Sequence, residues 1–168
     1  TAPQNIYVPR GGIDTAQGHL SFDQVAESLA DAVRKLLSDP ARAVEILGAV
    51  QNDGVLRRLE AARSLGKVVL DTQAVAHPAY PGAAIRTPLI VRLSTDDRAT
   101  YLNEWFGPIA FVIATESTAE SLEIARDAVR GHGMNARQAE HYLAWADSLH
   151  RDVAGSLGYR DGTALHLW

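Results

Sequence analysis

Residues 109–114 read IAFVIA, a run of consecutive apolar residues in a chain of 168. A short run without polar alternation is typical of a strand that is covered on both faces, as strands of parallel sheets are. Ser117 and Glu120 follow at the spacing of a capping box, which marks the start of a helix. Apolar residues then recur at helical spacing, at Leu122, Ala125 and Val129. This segment therefore predicts a strand followed directly by a helix.

The same alternation extends through the rest of the chain. Strands are predicted at 5–8, 67–70, 88–93 and 165–168. Helices are predicted at 22–37, from 40 to about 47, at 55–65 and at 136–157. Ser21 with Gln24, and Asp39 before Pro40, are predicted caps. Residues 74–87, rich in Pro and Gly, read as an irregular loop. Strands that alternate with helices predict an α/β fold with a mainly parallel sheet flanked by helices.

The composition argues against several function classes. The formal net charge is −4 and no basic run occurs, so we expect no nucleic-acid partner. The chain has no cysteine, which leaves no disulfide, no thiolate metal site and no cysteine nucleophile within it. No apolar run approaches the about 20 residues of a membrane helix, so we expect no membrane partner and a cytoplasmic protein. Because the chain starts at Thr1 without a methionine or a basic leader, we expect a fragment without a signal peptide.

The usual catalytic motifs are absent from the sequence. Gly11-Gly12 and residues 131–133 (GHG) match neither a dinucleotide fingerprint nor a phosphate loop. The six histidines are dispersed and are expected to be surface or cap residues, so no metal ligand is predicted. No catalytic residue is predicted within the chain.

One segment contains residue types that an α/β fold does not by itself require. Residues 103–111 read NEWFGPIAF, with the carboxylate of Glu104 beside Trp105 and Phe106. One interpretation is structural, with Glu104 as a helix cap or an ion-pair partner and both aromatic rings in the core. The other interpretation is a binding site at the start of the strand that follows.

The pattern E-x-F-G-P before an apolar strand and a capped helix resembles the aldehyde dehydrogenase superfamily. The matching residues are Glu104, Phe106, Gly107 and Pro108. Residues 1–8, TAPQNIYV, resemble the segment that follows the catalytic cysteine in that family. The resemblance covers about residues 1–130. The residues of these motifs are most similar to those of the branch associated with phenylacetate degradation and ring-opening aldehyde oxidation.

The resemblance implies a specific chemistry. Members oxidise an aldehyde to an acid, or in some branches to a thioester, with NAD or NADP and a cysteine thiolate as nucleophile. Glu104 would bind the ribose hydroxyls of the nicotinamide nucleoside, and Phe106 would pack beside the nicotinamide ring. Gly107 would allow a close backbone approach, and Pro108 would set the entry to the strand. The nucleophile would lie immediately before Thr1, outside this chain, and the dinucleotide-binding domain would lie further upstream.

The sequence departs from the family pattern after Met134. We therefore expect a partial aldehyde dehydrogenase catalytic domain at 1–134 and a divergent helical tail at 135–168. Two functions remain open: a piece of an aldehyde dehydrogenase that is inactive alone, or a non-catalytic α/β module for binding or oligomer contacts. In the intact enzyme the partner would be an aldehyde substrate. Exposed sheet edges lead us to expect a homo-oligomer.

Overall fold

The computed structural model describes residues 4–131 and 166–167. Its strands are β1 (Asn5–Pro9), β2 (Ile13–Thr15), β3 (Gly18–Leu20), β4 (Lys67–Leu70), β5 (Ala74–Val75), β6 (Ile85–Arg86), β7 (Leu89–Ser94), β8 (Ile109–Thr115) and β9 (His166–Leu167). Its helices are α1 (Phe22–Leu36), α2 (Pro40–Leu47), α3 (Asp53–Ala62), α4 (Arg98–Tyr101) and α5 (Thr118–Gly131).

The main sheet has five strands in the order β4-β7-β8-β1-β9. Strands β7, β8 and β1 run parallel, and the antiparallel strands β4 and β9 lie at the two edges. The predicted strand 109–114 is the middle strand β8, where Phe111, Val112 and Ile113 are fully buried. The register pairs Phe111 with Val91 on one side and with Asn5 on the other. An α/β fold with a mainly parallel sheet flanked by helices is therefore confirmed.

Helices cover both faces of the sheet. On one face α1 packs Phe22, Val25, Ala26 and Ala30 against residues such as Ile90 and Val112. On the other face, α3 and α5 pack against a second cluster that contains Val91, Phe111 and Ile113. Successive residues of a strand point to opposite faces, so the uninterrupted apolar run of β8 supplies both clusters.

The predicted caps are in place. Ser21 and Gln24 form a complete capping box at the start of α1. The Asp39 carboxylate accepts hydrogen bonds from the amides of Ala41 and Arg42 at the start of α2. At α5 the Ser117 hydroxyl accepts from the Glu120 amide at 3.2 Å. These short-range contacts satisfy backbone donors that the first turn of a helix leaves free.

The structure also differs from the sequence-based expectation. The segment 74–87 is not an entirely irregular loop, because β5 and β6 pair within it as a short antiparallel ladder. The Thr72 hydroxyl, which donates to the Thr87 carbonyl at 2.6 Å, closes the base of this hairpin. The β2–β3 hairpin and the single-turn helix α4 were not predicted. The predicted helix 136–157 lies outside the described residues, whereas the strand expected at 165–168 is present as β9.

Candidate functional site

A groove of about 610 Å³ opens at the amino-terminal ends of the three parallel strands. The loop of residues 104–108 forms one wall, and α1 contributes Leu29 and Val33 to the opposite side. The lining residues are Gln4, Ile6, Leu29, Val33, Pro88, Ile90, Glu104, Trp105, Phe106, Gly107, Pro108, Ile109 and Ala110. Both predicted site residues, Glu104 and Phe106, therefore line one groove together with a residue of the N-terminal segment.

Glu104 lies in the loop between α4 and β8. It is exposed, and its carboxylate makes no hydrogen bond or ion pair with any residue in the described part of the chain. It caps none of the helices described there. The structural interpretation of Glu104 is therefore wrong over the described ranges, and its carboxylate is free to accept hydrogen bonds from a ligand.

The two neighbouring aromatic residues have opposite environments. The half-buried Trp105 packs edge-to-face on Phe111, with ring centroids 6.1 Å apart, and its indole N–H donates to the Thr100 carbonyl at 2.9 Å. Phe106 is 66% exposed. A core role is therefore correct for Trp105 and wrong for Phe106. The exposed Phe106 ring and the unpaired Glu104 carboxylate are therefore both accessible to a ligand.

Arg58 on α3 contacts Phe106. Its guanidinium carbon lies 5.8 Å from the centre of the Phe106 ring, within cation–π range. Its Nε donates to the Phe106 carbonyl at 2.7 Å. Arg58 thus contacts both the ring and the backbone of Phe106. The sequence alone does not point to Arg58, because Arg58 and Phe106 are 48 positions apart.

Gly107 brings the loop close to α3. Its φ is +149°, a region that side-chain-bearing residues rarely adopt. A Cβ at this position would lie 3.0 Å from Cγ1 of Val55. The next residue, Pro108, accepts a hydrogen bond from the Leu89 amide at 2.8 Å as the chain enters β8. At Gly107 the loop backbone thus passes close to the Val55 side chain.

Gln4 joins the N-terminal segment to the loop and was also missed. Its side-chain oxygen accepts from the Trp105 amide at 2.7 Å, and its side-chain nitrogen donates to the Asn103 carbonyl at 2.8 Å. The available signal was an amide residue directly before the buried strand β1. The sequence could not indicate the residues that this amide would meet.

Two tyrosines with raised pKa values, Tyr7 and Tyr101, are buried in the core near the loop. Burial raises the pKa of the Tyr7 hydroxyl well above its usual range, and burial also raises the pKa of Tyr101. Neither phenol lines the groove, so neither carries protons for a ligand there near neutral pH. His19 and His77 are engaged elsewhere, with Asp14 and with the amides of Ala79 and Tyr80.

The site therefore offers one free carboxylate, one exposed aromatic ring and an apolar wall. A carboxylate can accept hydrogen bonds from hydroxyl or amino groups of a ligand, and the exposed ring can pack against an apolar or flat group. Over residues 4–131 and 166–167, no group of three or more His, Cys, Asp or Glu side chains is placed to hold a metal ion. In the same ranges, no helix has the length and apolarity needed to cross a membrane.

Comparisons with known proteins agree on one family. A sequence profile described as "Aldehyde dehydrogenase family" matches residues 19–155. The crystal structure of NAD-dependent aldehyde dehydrogenase from Burkholderia multivorans is 59% identical over 76% of this chain, with a TM-score of 0.73. This chain spans 23% of the length of that protein. A search of curated proteins finds no significant match.

Proposed function

Because the chain belongs to the aldehyde dehydrogenase family, we propose that it forms the nicotinamide-facing edge of an enzyme that oxidises an aldehyde with NAD. The observation that carries the proposal is the free carboxylate of Glu104 beside the exposed ring of Phe106, at the rim of an apolar groove. The solved relative is described as NAD-dependent, which supports NAD over NADP. The complete reaction belongs to the whole protein, since this chain spans 23% of that relative.

In the proposed enzyme, the residues of this chain bind the nicotinamide cofactor and hold it in position. When bound, the nicotinamide cofactor supplies the acceptor for the hydride that leaves the aldehyde carbon. Glu104 accepts two hydrogen bonds from the ribose hydroxyls and so restricts the rotation of the nucleoside. Phe106 packs its exposed ring beside the nicotinamide. The apolar wall around Ile6 and Ile90 keeps water away from that face of the ring.

We propose that the nucleophile is a cysteine immediately before Thr1. Its thiolate attacks the carbonyl carbon, and water later releases the acid from the thioester. The observation that tests this placement is the sequence encoded upstream of Thr1. A cysteine within a Gly-rich turn supports the proposal. A start codon or an unrelated sequence overturns it and favours the non-catalytic α/β module instead.

The role of Glu104 is tested in the protein encoded by the complete gene. We expect Glu104→Gln to raise the KM for NAD by about tenfold, because an amide accepts weaker hydrogen bonds from hydroxyls than a carboxylate does. Glu45→Gln is the matched control, since Glu45 is an exposed residue on α2 away from the groove. An unchanged KM for NAD in Glu104→Gln, or no NAD-dependent aldehyde oxidation by the wild-type protein, would overturn the proposal.

The isolated chain provides a second test. We expect the purified 168-residue chain to show no turnover with an aldehyde and either NAD or NADP, because it contains no cysteine. Formation of NADH, followed by its absorbance, would refute this expectation.

The finer assignments rest on the sequence alone. We propose a substrate from the branch associated with phenylacetate degradation and a cytoplasmic location. We also propose a division into 1–134 and 135–168, although the family match extends to residue 155. A panel of aldehydes that compares ring-opened products with simple aliphatic ones tests the branch. Equal kcat/KM across that panel would argue against it.

A further inference from the structure

Gln4 contacts the backbone on both sides of Glu104. Its Nε2 donates to the Asn103 carbonyl at 2.8 Å and, more weakly, to the Tyr101 carbonyl at 3.3 Å. Its Oε1 accepts from the Trp105 amide at 2.7 Å. A carboxamide donates and accepts at once, as a peptide group does, so this side chain pairs with the loop as a neighbouring strand would.

The backbone of Gln4 is itself fixed by the central sheet. Its carbonyl accepts from the Phe111 amide at 2.7 Å, which continues the parallel ladder between β1 and β8. The next side chain, Asn5, adds a hydrogen bond from Nδ2 to the Tyr101 carbonyl at 2.9 Å. The loop is therefore hydrogen-bonded to residues that the central sheet holds in place.

We infer that Gln4 is a positioning residue that holds Glu104 ready for the cofactor, an inference that rests on the function proposed above. The Gln4 side chain is hydrogen-bonded to the backbone on both sides of Glu104. The Glu104 carboxylate itself has no partner among the described residues. A carboxylate on a fixed backbone loses less conformational freedom when it binds a ligand. Gln4 also belongs to the segment that would follow the nucleophile, so one side chain sets the nucleophile strand and the ribose-binding loop relative to each other.

The first test requires neither a cofactor nor catalysis. In the protein encoded by the complete gene, Gln4→Met removes all three side-chain hydrogen bonds, those with Tyr101, Asn103 and Trp105, at similar side-chain length. We expect hydrogen–deuterium exchange of the peptide covering residues 102–106 to become about tenfold faster, because the Trp105 amide loses its acceptor. Gln17→Met is the control, since Gln17 is exposed in the β2–β3 turn. Unchanged exchange in Gln4→Met overturns the inference.

The second test separates positioning from a general structural role. Gln4→Glu keeps the acceptor for Trp105 but replaces the donor that contacts the Asn103 carbonyl. We expect the KM for NAD to rise by about tenfold and by a larger factor than any change in kcat, with some loss of Tm because a carboxylate oxygen then faces the Asn103 and Tyr101 carbonyls. Gln17→Glu is the matched control. Equal losses in Tm and kcat would show a structural role only and would overturn the inference.

The two proposals fail in different ways. If Glu104→Gln raises the KM for NAD and Gln4→Glu does not, the inference on Gln4 is wrong and the proposed function stands. If neither variant changes the KM for NAD, the proposed function is wrong, and the inference falls with it. Even when the protein shows no turnover, hydrogen–deuterium exchange of Gln4→Met still reports whether the Gln4 side chain holds the loop.

Discussion

Trp105 and Phe106 show at the residue scale how one short loop serves both the core and the groove. The two rings have opposite environments, and only that of Trp105 packs on the core, against Phe111. Trp105 takes that place because its indole N–H finds the Thr100 carbonyl, which satisfies the polar atom on burial. Phe106 is left at the surface, where Arg58 supports its ring and its carbonyl.

Gly107 sets the path of this loop, and its substitution tests that role. We expect Gly107→Ala to lower the free energy of unfolding by about 1–3 kcal/mol, because its φ of +149° strains a residue with a Cβ and Val55 leaves little room. Denaturant titration measures the change. Gly11→Ala is the control, since Gly11 has open space around its Cα. Equal stability of both variants would contradict the strain argument.

The buried hydroxyl of Tyr7 carries a different prediction. Neither this hydroxyl nor Oδ1 of Asn5 meets hydrogen-bond geometry with a described residue, although the Asn5 side chain lies close enough to oppose the rise in the pKa of Tyr7. We expect Tyr7→Phe to leave the free energy of unfolding unchanged or to raise it by up to about 1 kcal/mol, because a desolvated polar group is removed while the ring is kept. Thermal and denaturant unfolding measure the change.

Tyr101→Phe is the matched comparison for Tyr7→Phe. The two rings pack edge-to-face with centroids 6.2 Å apart, but the Tyr101 hydroxyl donates to the Thr95 carbonyl at 3.3 Å. We expect Tyr101→Phe to be the less stable of the two variants. A clear loss of stability in Tyr7→Phe would mean that its hydroxyl has a partner, such as a buried water.

At the element scale, an ion pair ties the end of α3 to the end of β4. Arg63 contacts Asp71 through two hydrogen bonds, Nε to Oδ1 at 2.8 Å and Nη2 to Oδ2 at 2.6 Å. The Arg63 guanidinium lowers the pKa of Asp71, and the Thr72 amide acts in the same direction. Both side chains are substantially exposed, so solvent screens the pair and its contribution to stability is small.

This pair predicts a pH-dependent stability difference. Because folding lowers the pKa of Asp71, its stabilisation is present above the unfolded pKa of about 4 and is lost as the pH falls through the folded pKa. We expect Asp71→Asn to lower Tm slightly near neutral pH, and the difference from wild type to shrink under acidic conditions. Asp96→Asn is the control, because Asp96 is exposed and has no ion pair among the described residues. A difference that grows on acidification would contradict this prediction.

At the scale of the whole molecule, the main sheet ends at a strand with an exposed side chain. Within the described residues β4 is an edge strand, and Val68 on it is 36% exposed. Groups that remain unpaired on a sheet edge can pair with a second copy of the chain. We therefore propose that the chain self-associates.

Sedimentation velocity over a range of protein concentrations tests self-association. We expect Val68→Lys to weaken it without lowering Tm, because a lysine on an edge strand opposes edge-to-edge pairing. Ile46→Lys is the control, since Ile46 is an exposed apolar residue on α2 rather than on a sheet edge. A monomer at every concentration, or equal effects of both variants, would count against this edge as the interface.

Much of the fold follows from short-range patterns. The apolar run of β8, the capping box at Ser21 and the Asp39 cap depend on residues a few positions apart, so the sequence alone predicts them. Glu104 and Phe106 were singled out in the same way, from a compact motif of the family. The β5–β6 hairpin was missed, because its pairing brings together residues separated by a Pro- and Gly-rich segment.

The sequence alone predicted the class of fold and the buried strand β8, and the family resemblance pointed to the two residues proposed to meet the cofactor. Only the tertiary structure shows which residues hold the loop of Glu104 and Phe106 in place. Gln4 contacts Trp105 across 101 positions of sequence, and Arg58 contacts Phe106 across 48. Such partners depend on which distant segments pack together, and side-chain hydrogen bonds carry no local sequence pattern. For this reason the motif was enough to identify Glu104 and Phe106. Their contacts with Gln4 and Arg58 depend on the tertiary structure.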